Sequence, residues 1–133
     1  MSQENVEIAR RAVSALNRGD IPGLLDEYEE DIEIVLARSA TPEPGAHRGR
    51  AAAEKFLRDI WATIENFKAD VSEMREVGER ILFLVHFYGR GAGSGVDVRE
   101  EYSWIYSFSA NKISRLEVYG SWDEGLAAAG LLE

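Results

Sequence analysis

The chain has 133 residues, 45% of them apolar and 29% charged, a balance that suits one globular domain and excludes a disordered chain. Its 24 acidic against 15 basic side chains give a formal charge of −9, which repels phosphate backbones and anionic lipid, so neither nucleic-acid nor membrane partners are expected. The absence of cysteine removes disulfides, thiolate nucleophiles and zinc–sulfur sites together.

Residues 1–11 are polar and charged, without the apolar core of a leader. No stretch reaches the ~20 apolar residues that span a bilayer, and a cytoplasmic setting is expected. Residues 4–18 carry the first helical pattern. Val6, Ala9, Val13 and Leu16 recur at helical spacing, and Ile8, Ala12 and Ala15 widen the apolar face. Gly19 stops this helix, and Asp20 caps a second, short one with Pro22 in its first turn. Leu24, Leu25 and Tyr28 are expected on its buried side. Residues 33–36 read as a short strand, and residues 38–48, with Pro42, Pro44 and Gly45, as an irregular loop. A long helix starts at Gly49, with Ala53, Phe56, Leu57, Ile60, Trp61 and Ile64 forming its apolar stripe.

Beyond Asn66 the period changes to two. Residues 67–77 read as a strand and Gly78 as a turn. Residues 80–88 are apolar on both faces, which predicts a strand covered on both sides. The glycine-rich residues 89–95 form a hairpin loop and not a phosphate cradle, because a strand follows them. In that strand Val96, Val98, Tyr102, Trp104, Tyr106 and Phe108 point one way, and Asp97, Arg99, Glu101, Ser103 and Ser107 the other. Residues 113–119 pair with it through an Ala110–Asn111 turn. Ser121-Trp122-Asp123-Glu124 has capping-box spacing and opens a closing helix that carries Leu126 and stops at Gly130 before Leu131. The order predicts a single α+β domain over residues 1–133, with helices packed on one curved antiparallel sheet.

Two carboxylates stand out. Glu100 is in register with the apolar row 96–108. Facing a pocket, it would be partly desolvated and suited to general acid–base work; at the strand end it would meet only water. Glu117 alternates with Arg115 and Tyr119 on the last strand. A pocket-facing Glu117 beside Tyr119 would make a proton-transfer pair, whereas a cross-strand ion pair with an arginine would make it structural. Tyr102, Trp104, Tyr106 and Trp61 form an aromatic row that would either flank a flat ligand or simply fill the core. His47 and His86 lack metal-site spacing, so no metal and no cofactor is expected. No G-x-S-x-G elbow occurs.

Several local patterns carry a family likeness: Ala15-Leu16-Asn17-Arg18-Gly19-Asp20 after the first helix, His47-Arg48-Gly49-Arg50 opening the long one, Trp104-Ile105-Tyr106, Lys112-Ile113, Glu117-Val118-Tyr119 and Ala128-Ala129-Gly130-Leu131. With the element order, they resemble the SnoaL-like group of the nuclear transport factor 2 superfamily, which also contains ketosteroid isomerases and limonene-epoxide hydrolases. The resemblance implies a cone-shaped half-barrel, its sheet mixed at the edge, enclosing an apolar pocket. Leu16, Tyr28, Leu36, Phe56 and Leu57 would line that pocket from one side, and Trp61, Phe83, Val85, Trp104 and Tyr106 from the other. It also implies a homodimer through the outer sheet face, where Leu84, His86 and Tyr88 are candidates.

The catalytic sets of the family do not carry over. Ala12, Leu36 and Trp104 stand where ketosteroid isomerases have their tyrosine, base and acid. Arg80 matches the arginine of the epoxide hydrolases, but Leu82 and Val118 replace their carboxylates. The expected function is therefore cofactor-independent binding of an apolar, cyclic or carbonyl-bearing metabolite. Proton transfer, as in isomerisation or cyclisation, would fall to Glu100 or Glu117 with Tyr102 or Tyr119 as hydrogen-bond donor. The alternative is a non-catalytic binding or dimeric interaction module.

Overall fold

Small residues let the first helix lie close to its neighbours. In the computed structural model, which describes residues 3–131, helix α1 (Gln3–Arg18) buries Ile8, Ala9, Ala12, Ala15 and Leu16. It ends as its sequence predicts. Gly19 takes a positive φ of 69°, Gly19 N–H donates to Leu16 O at 3.1 Å and Asp20 N–H to Ala15 O at 2.9 Å, a glycine-terminated stop. Asp20 then accepts from Gly23 N–H at 3.0 Å and opens α2 (Ile21–Asp26).

The strands follow as β1 (Tyr28–Leu36), β2 (Gly45–Arg48), β3 (Ile64–Val77), β4 (Arg80–Gly91), β5 (Asp97–Ser109) and β6 (Lys112–Tyr119). Helix α3 (Arg50–Thr63) lies between β2 and β3, and α4 (Trp122–Ala128) closes the chain. The six strands form one open sheet in the order β2-β1-β6-β5-β4-β3. All neighbours are antiparallel except β1 and β6, which run parallel. This is the α+β half-barrel expected, mixed toward one edge. Bulges between Glu65 and Lys68, Val71 and Glu73, and Ser107 and Phe108 interrupt the ladders and bend the strands.

Several boundaries differ from the sequence reading. Strand β1 starts at Tyr28, not residue 33, because Tyr28 pairs with Ile113 ahead of a register shift that breaks the alternation. Part of the expected loop is β2, held by pairing of Leu36 with Gly45 through Glu33 with Arg48. As an edge strand with no buried residue, it carries no apolar signal. Ile64 belongs to β3 and not to the long helix. Strand β4 continues to Gly91, and Gly89 fits inside it because a Cβ there would run into the Ile64 side chain.

The sheet has two covered regions. Its inner face, bearing Ile81, Phe83 and Val85 of β4 and Trp104 and Tyr106 of β5, packs under α1, α2 and α3. On the outer face Leu82 and Ile105 are fully buried beneath α4, with Ala129. That is the second cover the doubly apolar β4 required. Helix α4 comes close because its middle residue is glycine: a Cβ at Gly125 would meet the Ser103 side chain. No helix among the described residues is long and apolar enough to cross a membrane.

Candidate functional site

Between the helices and the inner sheet face lies a cavity of about 210 Å³. Leu16 of α1, Leu24 of α2 and Phe56, Leu57 and Ile60 of α3 form its helical wall. The sheet supplies Tyr28 and Leu36 of β1, Phe67 of β3, Phe87 of β4, Tyr102, Trp104 and Tyr106 of β5, and Leu116 and Val118 of β6. Ala40 and Thr41 come from the β1–β2 connection. Among the described residues the wall carries no acidic or basic side chain. Its side-chain polar groups are the three phenols, the Trp104 indole N–H and the Thr41 hydroxyl.

Backbone features hold these side chains in place. Arg50, at the start of α3, donates from Nε at 3.2 Å and Nη2 at 2.7 Å to Tyr28 O, tying the helix to β1 where Tyr28 turns inward. Asn17, next to Leu16, exchanges two hydrogen bonds with the edge strand β3: Nδ2 donates to Ala69 O at 2.8 Å and Oδ1 accepts from Ala69 N–H at 2.7 Å. Aromatic contacts stiffen the wall, with Phe67 edge-on to Phe87 at 4.2 Å and Phe87 to Tyr102 at 5.9 Å between ring centroids. Burial pushes the Tyr28 and Tyr106 phenols well above their ordinary ionisation range. Tyr102 is raised too, by burial and then by the charge of Glu100.

Of the expected pocket residues, Leu16, Tyr28, Leu36, Phe56, Leu57, Trp104 and Tyr106 are on the wall. Trp61, Phe83 and Val85 are not. Trp61 packs on Phe67 at 5.6 Å and Phe83 on Tyr106 at 5.2 Å, each supporting a wall residue, and Val85 is fully enclosed in the core. Sequence reasoning missed Leu24, Ile60, Phe67, Phe87, Leu116 and Val118 as wall residues, together with the loop pair Ala40 and Thr41. Ile60 lies on the stripe legible along α3, and only the wall it faces is hidden from the sequence.

The two glutamates sit elsewhere than a pocket base would. Glu100 shares the inner register of β5 but is exposed, opposite Phe87 and beyond Tyr102. Glu117 and Tyr119 are on the outer face. The cause is a bulge in β6: Ile113 pairs with Phe108 but Arg115 with Ser107, so Ser114 is an extra residue and every later side chain changes face. Leu116 and Val118 turn inward and Arg115, Glu117 and Tyr119 outward. There Tyr119 OH donates to Glu117 Oε1 at 2.5 Å. Arg115 Nε lies 3.9 Å from Glu117 Oε2 and 3.6 Å from Glu33 Oε1, and Arg48 reaches Glu33 at 2.7 Å. Burial, followed by the bond to Glu117, raises the Tyr119 phenol to about 12. The Arg48 hydrogen bond holds Glu33 below its usual range.

Nor does either histidine face the cavity: His47 stacks on Phe56 at 5.0 Å, and His86 bonds Ser72 at 3.0 Å on the outer face. Among the described residues no three His, Asp or Glu side chains gather where a metal ion could be held.

Comparison with known proteins places this architecture. The SnoaL-like domain profile matches residues 9–116, and no match was found among curated proteins. The fold superposes on an NTF2-like protein of unknown function from Burkholderia pseudomallei with a TM-score of 0.80 at 22% identity, over 96% of this chain and 97% of that one. A SnoaL-like protein from Shewanella denitrificans, assigned to the polyketide cyclases by similarity, gives 0.76 at 14% identity, over 96% and 97%. A ketosteroid isomerase-like fold from Catenulispora acidiphila, in complex with trimethylamine, gives 0.76 at 18%, over 94% and 93%. With helices capping a mixed six-stranded half-barrel and a profile match across most of its length, the chain belongs to the SnoaL-like domain family of the nuclear transport factor 2 superfamily.

Proposed function

We propose that this protein binds a small, largely apolar ring compound in the cavity beneath its helices. The observation that carries the reading is the cavity itself: about 210 Å³, walled by aliphatic and aromatic side chains, with a few neutral polar groups among them. An apolar cavity of about 150 Å³ accommodates benzene, and sites for drug-sized ligands run from roughly 300 Å³ upward. The volume suits one or two fused rings. A four-ring skeleton would need the β1–β2 connection or α3 to move outward.

Proton transfer by an acidic side chain is the second reading. One observation favours it: Tyr102 on the wall feels the charge of Glu100, two residues away on the same strand. A general base must come within about 3 Å of the proton it takes, so a ligand would have to extend past Tyr102 to meet Glu100. Glu117 and Tyr119, on the far side of the sheet, have no such route. The homodimer remains part of the proposal, supported by family likeness and by Leu84, His86 and Tyr88 lying on the outer face. Tyr88 there is 38% exposed. A monomeric mass by light scattering at micromolar concentration would contradict it.

The test is a thermal-shift panel of one- and two-ring ketones, phenols and hydrocarbons, followed by methyl NMR at Leu57, Leu116 and Val118. A ligand at a hundredfold over its Kd stabilises by about 2.7 kcal/mol, and the melting temperature should rise by several degrees. Glu100→Gln and Glu117→Gln should leave binding unchanged if the protein only binds. Loss of a product-forming reaction in Glu100→Gln alone would favour the second reading. A flat panel with unmoved methyl signals would overturn both.

A further inference from the structure

Two tyrosines on the cavity wall are almost completely buried. Tyr28 and Tyr106 are each about 1% exposed, and both line the cavity. A phenol placed this deep ordinarily finds a hydrogen-bond partner. Neither hydroxyl has one among the described residues: Tyr28 is engaged only through its backbone, and Tyr106 makes ring contacts with Phe83 and Phe108. Among the described residues the one fully enclosed side-chain polar atom without a partner is Glu29 Oε1, so the two phenol oxygens keep a little accessible surface. The cavity they line is where that surface lies. They come from different strands, β1 and β5, on either side of β6, so their place on one cavity wall depends on the fold and not on sequence proximity. They are near enough for an ionised Tyr28 to disfavour ionisation of Tyr106.

The geometry points to Tyr28 and Tyr106 as a pair of hydroxyl donors that recognise an oxygen of the ligand, a ketone carbonyl or a phenolic oxygen on a one- or two-ring skeleton. This rests on the cavity being the binding site, and it adds the chemistry that the cavity selects. Phenols protonated throughout the physiological range donate without bringing a charge into an apolar site. With no carboxylate or amine among the described wall residues to compete, a lone ligand oxygen meets, of their side chains, only these donors, Tyr102, Thr41 and the Trp104 N–H. Arg50 acts on the pair indirectly, by holding the Tyr28 backbone through two hydrogen bonds, and is a positioning residue.

The test compares 2-tetralone with tetralin, one bicyclic skeleton with and without a carbonyl. Calorimetry would follow both on the wild type, Tyr28→Phe, Tyr106→Phe, the double variant and Val118→Trp, which plugs the cavity. The wild type should prefer the ketone, and each phenylalanine should reduce ketone affinity about threefold to tenfold while leaving tetralin binding unchanged. The carbonyl stretch of bound tetralone should lie at lower frequency in the wild type than in the double variant. Because each lost hydroxyl has no protein partner, the ligand-free variants should melt at or above the wild-type temperature; a clear drop would show that the hydroxyls are structural and overturn the assignment. Equal affinity for ketone and hydrocarbon, both abolished by Val118→Trp, would also overturn it while leaving the cavity as the binding site. If neither compound bound, or if Val118→Trp changed nothing, the cavity reading would fail and this one with it.

Discussion

Replacing Asn17 should test how the helical wall is held against the sheet. Its amide acts as a short substitute strand, giving one donor and one acceptor to Ala69 on the free edge of β3, at 2.8 and 2.7 Å. Ala69 is 2% exposed, so Asn17→Ala would leave both backbone groups poorly solvated. Each lost hydrogen bond is worth about 1 kcal/mol net, and a stranded buried group costs about 1–3 kcal/mol, which places Asn17→Ala at roughly 2–4 kcal/mol less stable. Asn17→Asp separates the two bonds. It keeps the acceptor for Ala69 N–H but sets a carboxylate oxygen against Ala69 O, so ionisation is disfavoured in the folded state and the new carboxyl titrates above its unfolded value. The folded chain then binds more protons than the unfolded one. Stability of this variant relative to wild type should recover as pH falls, because the protonated carboxyl can donate to Ala69 O, and should be lost as pH rises. Urea unfolding of wild type and both variants, from neutral pH to about pH 3, reads this directly. An alanine variant within about 0.5 kcal/mol of wild type, or an aspartate variant whose deficit ignores pH, would refute the reasoning.

Gly125→Ala should be destabilising by about 1–2 kcal/mol despite the helix propensity it gains. The gain is at most about 1 kcal/mol, whereas crowding a packed contact costs about 1–3 kcal/mol, and the new Cβ would sit 2.5 Å from Ser103 Cβ; a thermal melt at or above wild type would remove α4 from the close-packed picture. Tyr119→Phe strips Glu117 of its 2.5 Å donor and should lose about 1–2 kcal/mol. A double-mutant cycle with Glu117→Gln that yields no coupling energy would disprove the bond's contribution. Stability should fall as pH rises above 10, the ordinary tyrosine value, because the unfolded chain releases phenolic protons that the folded chain retains at Tyr28 and Tyr106. Absorbance titration checks this, and all five tyrosines ionising together near 10 in the folded state would contradict it.

What the sequence revealed follows the range of the interactions involved. The stop at Gly19, the cap at Asp20 and the cap at Ser121, which accepts from Glu124 N–H at 3.1 Å, are set within a few residues, and all are readable. So is the inward row Tyr102, Trp104 and Tyr106, because β5 keeps its alternation over that stretch. Strand β2 exists only because β1 lies beside it, and its Gly-Ala-His-Arg would be loop anywhere else. Glu117 is the sharpest case. Counting by twos from the buried Ile113 puts it inside, and one extra residue at Ser114 puts it outside. Nothing local marks Ser114 as a bulge; the pairing of β6 with both β1 and β5 decides it. Tyr28 and Tyr106 are legible only as two separate lining residues, since their meeting needs the strand order.

Burial of β4 on both faces has a consequence for how the molecule opens. Amide protons at Ile81, Leu82, Phe83 and Val85 lie in a strand paired on both edges and covered by α1 and α3 on one side and α4 on the other. These should exchange with solvent at rates set by global unfolding. The β1–β2 connection and the outer strand β2 are held by few buried contacts and should exchange far sooner, through local fluctuation. Ala40 and Thr41 on that connection form part of the cavity wall. A guest of the kind proposed would therefore enter and leave through the fast-exchanging margin of the protein while its slow-exchanging spine stays shut.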